Sequence, residues 1–207
     1  MNVMDPNLLF RKMYNHYGDQ NWWPGEGFEI AIGAILTQNT SWSNVEKALA
    51  NMRSNNLLTP LAIVQCEEAN LLEQIRPAGF FNQKAKYLKN LSKLWMTNST
   101  PSRDELLAVN GVGPETADSI LLYLLNQLEF VIDAYTIRIS KRLGIASFSN
   151  YKDWKSFYEE SIEKNLEIYN NFHALFVVHA KNFCKKNNPL CKQCFLNGDC
   201  QYIKNKG

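Results

Sequence analysis

Four cysteines close to the end of the chain, in the pattern Cys184-x6-Cys191-x2-Cys194-x5-Cys200, constrain its folding more than any other feature. Pro189 and Gly198 bend the loop between them, so four thiolates within 17 residues can wrap one metal centre. Donor number and type alone leave tetrahedral zinc, an iron–sulfur cluster and a pair of disulfides open. The N-terminal stretch MNVMDPNLLFRKMYNHYGDQ lacks the basic-then-apolar order of a signal peptide, which favours a metal centre over disulfides. Lys185, Lys186 and Lys192 lie in the loop, where it would present them to phosphates. Cys66 stands far away in the sequence and reads as a small core residue.

A second feature is the segment Leu106 to Arg142, LLAVNGVGPETADSILLYLLNQLEFVIDAYTIRISKR. Gly111 and Gly113 permit a tight turn with exposed N–H groups, and Pro114 at a first helical position needs no N–H of its own. Such a turn before a helix N-terminus suits an anion, phosphate above all. The same residues also make a plain connection between two helices. Further on, Asp133 leads a helix that carries Arg138, Lys141 and Arg142. An N-terminal carboxylate there caps the helix, and capping also holds it in place for other work.

The chain of 207 residues, 45% hydrophobic and 12% aromatic, is long enough to bury a real core, so it is globular rather than disordered. Its net charge is only +2, so any contact with nucleic acid must come from a local basic face. No apolar run is long enough for a membrane span. Helical periodicity places helices over Met1–Gly18, Phe28–Leu36, Ser43–Asn51, Ala62–Ile75, a basic stretch from Lys84, Ser102–Leu107, Pro114–Leu125, Ile132–Leu143, Trp154–Ile162 and Phe172–Phe183. His173 and His179 share the last of these and read as interface or core residues. Trp22 and Trp23, in the turn NWWPG, are either core plugs or walls of a base pocket. No repeat, low-complexity linker or compositional domain boundary is visible.

The hairpin Val109–Ala117 and the run Ile132-Asp133-Ala134-Tyr135-Thr136-Ile137-Arg138 resemble the LPGVGxxTA and VDxxxxR motifs of the helix-hairpin-helix DNA glycosylases related to endonuclease III. The resemblance extends from about Phe28 to Tyr202. It implies an all-α fold of two helical lobes with a DNA cleft between them. Residues 28–130 would form one lobe, carrying the hairpin, and 1–27 plus 131–207 the other, carrying the cysteine loop. The cysteine spacing resembles the family's [4Fe–4S] loop, so Cys184, Cys191, Cys194 and Cys200 are expected to hold that cluster.

The same resemblance assigns roles. Asp133 is the expected catalytic carboxylate. Gln38, in Thr37-Gln38-Asn39-Thr40-Ser41-Trp42, would fill the space left by an extruded nucleotide. Phe80, in Gly79-Phe80-Phe81-Asn82-Gln83-Lys84-Ala85, would wedge into the base stack, as apolar side chains do when they kink a duplex. Lys84, Gly111, Gly113 and Arg138 are expected to contact DNA. Bifunctional family members carry a lysine nucleophile where this chain has Glu115, so a hydrolase without lyase activity is expected.

The WWP and LTQNTSW strings are similar to the alkylpurine subgroup. Trp22, Trp23 and Trp42, with Glu115 and Lys181, are therefore the expected base-pocket residues for 3-methyladenine. A cationic base gains roughly 0.5–2 kcal/mol from aromatic faces. Lys181, shortly before Cys184, either approaches Asp133 or is simply solvent-exposed. The alternatives are a glycosylase for oxidised or mismatched bases and a non-catalytic DNA-binding relative. The expected partner is double-stranded DNA with a damaged base, bound by a monomeric cytoplasmic, nucleoid-associated protein with no membrane contact.

Overall fold

The computed structural model describes residues 4–204. The first three residues of the expected N-terminal helix, and the ends of the expected second lobe, lie outside them. Among the described residues there are only helices and connecting segments, so the chain is all-α. No helix is long and apolar enough to cross a membrane.

The chain divides into two compact units: residues 1–22 with 128–207, and residues 23–127. The second unit is built around α2, Phe28–Leu36. Seven of its nine residues are buried, which a sequence of FEIAIGAIL requires, because it has no polar face to offer water. Around it lie α3 (Trp42–Ser54), α4 (Pro60–Gln65), α5 (Glu68–Ile75), α6 (Phe81–Thr97), α7 (Arg103–Ala108) and α8 (Pro114–Tyr123). The helix expected over Ala62–Ile75 is two helices. Cys66 turns to an extended backbone (ψ 134°) and α5 restarts after Glu67. Periodicity does not register such a break, since the apolar face resumes on the other side of it.

Local chemistry fixes most helix starts. Ser102 and Glu105 form a capping box at α7, and Thr59 caps α4. Arg103 on α7 reaches Asp118 on α8 through Nε–Oδ1 (2.7 Å) and Nη2–Oδ2 (3.2 Å). Asp118 is fully buried, so this fork is the polar lock of the hairpin.

The first unit centres on α11, Leu166–Asn182, capped by Asn165. It starts six residues earlier than the periodicity indicates, because the capping signal at Asn165 outranks the weak apolar pattern that follows it. α1 (Pro6–Tyr17), α9 (Ala134–Leu143), α10 (Tyr151–Ser161) and the short α12 (Gln201–Lys204) complete the unit. Its core is aromatic: Phe130 stacks on Tyr158 at 5.0 Å and Phe172 on Phe176 at 4.6 Å. These rings anchor α11 beside the segment that leads into α9.

Candidate functional site

Asp133 is the N-cap of α9, with buried Val131 and Ile132 running up to it. Its Oδ1 accepts the backbone N–H of Thr136 (2.6 Å) and the Thr136 hydroxyl (2.9 Å). The other oxygen, Oδ2, faces Nε2 of His173 on α11 at 3.5 Å. Burial by itself would raise the Asp133 pKa. The His173 hydrogen bond and charge, with the two Thr136 bonds, outweigh it and hold the carboxyl below its ordinary value. The result is a carboxylate that is buried, 7% exposed, and still an anion at neutral pH. His173 is the site residue that the sequence reading left as interface or core, with no partner named. Its role depends on α11 packing against α9, which no local pattern announces.

In the other unit the hairpin runs from α7 through Val109–Gly113 into α8. Gly111 has φ +98°, and a Cβ there would lie 2.0 Å from the Tyr87 ring. Gly113 caps α8 with no side-chain bond, Pro114 has no N–H, and a Cβ at Gly113 would meet open space. The backbone is therefore bare where an anion would approach. Gly111→Ala should cost about 3 kcal/mol, from steric overlap plus left-handed backbone strain, and weaken duplex binding. A urea midpoint and a DNA titration measure the two effects.

Gln38 and Phe80 belong to the same unit. Gln38 donates through Nε2 to the Gly111 carbonyl (3.0 Å) and to Thr116 Oγ1 (3.1 Å). Phe80 is 69% exposed and sits in the left-handed region (φ 48°, ψ 30°), while Phe81 is partly buried beneath Arg76. A large aromatic held out in water on a strained backbone is an outlier that suits a functional role. Lys84 departs from expectation. It is 2% exposed and donates to the carbonyls of Leu36 and Ala78, each at 2.9 Å, so it does not reach a phosphate. Burial pushes its pKa down to about 8.

The residues expected around a base fall in both units. Trp23 packs against Gly33, meets Trp42 edge-on at 5.2 Å and tilts over Tyr123 at 5.3 Å. These three rings form an aromatic group with Trp23 at its centre. Glu115 is exposed in the first turn of α8, where the helix dipole favours a carboxylate. Trp22 lines an open cleft in its own unit with Asp19, Asn165, Asn170 and Asn171. Lys181 does not approach Asp133. It lies eight residues beyond His173 on α11, about 12 Å along the axis, and is exposed.

The four cysteines line one cavity together with His179 and Arg142. Arg142 donates through Nη1 to Cys184 Sγ (3.3 Å) and the Lys185 carbonyl (2.7 Å), and through Nη2 to the Lys186 carbonyl (3.0 Å). Arg138, expected at DNA, spends its Nε on the Cys184 carbonyl at 2.9 Å. Both arginines thus bind α9 to the cysteine loop. Cys194 lies 3.6 Å from His179, whose other nitrogen pairs with the Tyr17 hydroxyl at 2.9 Å.

Burial, and then the charges of Cys184, Cys200 and Cys191, push the Cys194 thiol up to about 11. Burial raises the Cys200 thiol as well, so these two thiols need a cationic centre beside them to become thiolates. Among the described residues no three His, Cys, Asp or Glu side chains are placed to hold a single metal ion. Four thiols on one cavity are the donor set of a structural zinc and of an iron–sulfur centre alike.

Residues 32–164 match the family described as HhH-GPD superfamily base excision DNA repair protein. A Methanocaldococcus jannaschii protein named a putative DNA repair glycosylase is 45% identical over 207 residues, covering 93% of this chain and 94% of its own. An endonuclease III of Sulfolobus acidocaldarius is 29% identical over 184 residues, 84% of this chain and 82% of its own. Among solved structures, the H. pylori 3-methyladenine DNA glycosylase bound to 1,N6-ethenoadenine matches with a TM-score of 0.79 at 28% identity, covering 86% of this chain and 98% of its own. An endonuclease III trapped as a covalent DNA intermediate matches with a TM-score of 0.85 over 98% of this chain and 99% of its own; at 22% identity, that likeness concerns the fold.

Proposed function

The chain belongs to the HhH-GPD superfamily of base excision DNA repair proteins, and from that premise we propose that it is a monofunctional DNA glycosylase for alkylated purines, 3-methyladenine foremost. The observation that carries the reading is the buried, ionised Asp133 in the run Ile132–Arg138, held by Thr136 and His173. The chain's departure at Glu115 carries the word monofunctional.

In this reading the bare backbone at Gly111–Gly113 grips a phosphate of a damaged duplex. Phe80 enters the stack and Gln38 takes the place of the extruded nucleotide. Trp23 and Trp42 offer faces to the cationic base. The C1′–N bond breaks with its electron pair leaving on the base, which is already a good leaving group because it is positively charged. The sugar gains oxocarbenium character, and the Asp133 carboxylate stabilises that charge. A water oxygen then bonds to C1′ and its proton passes to the Asp133 carboxylate or to solvent. Glu115 offers no amine for a Schiff base, so the strand stays intact.

The cysteines fit a [4Fe–4S] cluster, held by Cys184, Cys191, Cys194 and Cys200. Once bound, it supplies bonds that join four points of the loop. Arg138 and Arg142 then carry that rigidity to α9, and so to Asp133 at its start.

The second reading, a glycosylase for oxidised or mismatched bases, draws on the endonuclease III relative. The test is a set of duplexes bearing 3-methyladenine, thymine glycol or mismatched adenine, each run with and without borohydride. Base release should be greatest from 3-methyladenine.

A further inference from the structure

Lys84 is one of few fully buried charged side chains, and nothing in the chemistry above uses it. Its two acceptors have a shared position in the sequence. Leu36 ends α2 two residues before Gln38, and Ala78 ends a 3-10 turn two residues before Phe80. The ammonium bonds to both carbonyls at 2.9 Å, and the Lys84 backbone N–H bonds to the Phe80 carbonyl at 3.0 Å. One turn further along α6, Tyr87 fills the space that Gly111 leaves open, and Gln38 bonds to the Gly111 carbonyl. All these contacts lie within the second unit. A buried ammonium costs several kcal/mol to desolvate, so retaining one where methionine would fill the volume calls for a reason beyond packing.

We propose that Lys84 is a positioning residue that fixes the Gln38 and Phe80 segments against each other, so that wedge and gap-filler enter a duplex as one rigid element. The proposal rests on the reading of Gln38 and Phe80 given above. A flexible pair would have to be ordered at each encounter, side chain by side chain, before the base stack opened. A pair tied through one ammonium arrives already ordered. The ammonium fixes the Ala78 carbonyl two residues before Phe80, and the Lys84 backbone N–H bonds to the carbonyl of Phe80 itself.

The test needs no bond cleavage. A duplex with a tetrahydrofuran abasic analogue opposite 2-aminopurine reports insertion into the stack as a rise in fluorescence. Anisotropy of the same duplex reports binding. Wild type, Lys84→Met and Phe80→Ala are compared well below their thermal midpoints. The fluorescence rise should slow about tenfold in both variants, while Kd changes less than about threefold. If Phe80→Ala slows the rise and Lys84→Met leaves it unchanged, Lys84 is only structural and the proposal fails. If Phe80→Ala also leaves it unchanged, the wedge reading fails and the proposal with it. Should Lys84→Met not fold, Lys84→Gln, which removes the ammonium and keeps a polar side chain, takes its place and is read against the same two outcomes.

Discussion

Asp133→Asn should reduce base release by about a thousandfold or more and leave duplex affinity within a few-fold of wild type. Asparagine is as good an N-cap as aspartate, so the bond from the Thr136 N–H survives and α9 keeps its start. What is lost is the negative charge that the proposed mechanism sets beside the anomeric carbon. Loss of release with retained binding therefore isolates the electrostatic role from the structural one. Single-turnover release and an anisotropy titration read the two quantities.

A pH series separates them further. The folded pKa of Asp133 lies below its unfolded value. Its ionisation therefore adds stability that is present above about pH 4 and is lost as pH falls through the folded value. Asp133→Asn should lack that part of the acid destabilisation.

The second large effect concerns the cysteine loop. Purified protein should be brown and hold about four irons and four sulfides per chain. Cys194→Ser should bleach it and lower the thermal midpoint by about 10 °C or more, because the loop would lose its cross-links. The loss should reach DNA binding too. Arg142 and Arg138 tie the loop to α9, and Lys185, Lys186 and Lys192 depend on the loop for their placement. A colourless protein with one zinc per chain would overturn this assignment, and so would a Cys194→Ser variant that keeps its iron.

The fold class and most helices were legible in the sequence because their signals are local. Ser102 announces a helix start by capping, and FEIAIGAIL announces a buried helix by its near-continuous apolar run, whereas the caps at Asn150 and Asn165 start their helices earlier than the apolar pattern indicates. Asp133 was legible as the N-cap of α9 for the same reason, since a cap and its helix are contiguous. The partners of these residues were not. His173 meets Asp133, Arg103 locks Asp118 and Arg142 binds the cysteine loop only after helices have packed. Lys84 shows the limit most plainly. At a helix start in a lysine-rich stretch it reads as a phosphate contact, and only tertiary structure turns it inward onto two carbonyls. Lys181 fails for the opposite reason: nearness in sequence to the cysteines says nothing about which turn of α11 meets α9.

The central claim, hydrolysis through Asp133 without a lysine nucleophile, is tested most directly by incubating wild-type protein with a 3-methyladenine duplex in the presence of borohydride. Free base should appear together with an intact abasic strand, and no protein should become linked to DNA. A covalent protein–DNA adduct, or strand cleavage that keeps pace with base release, would contradict the account.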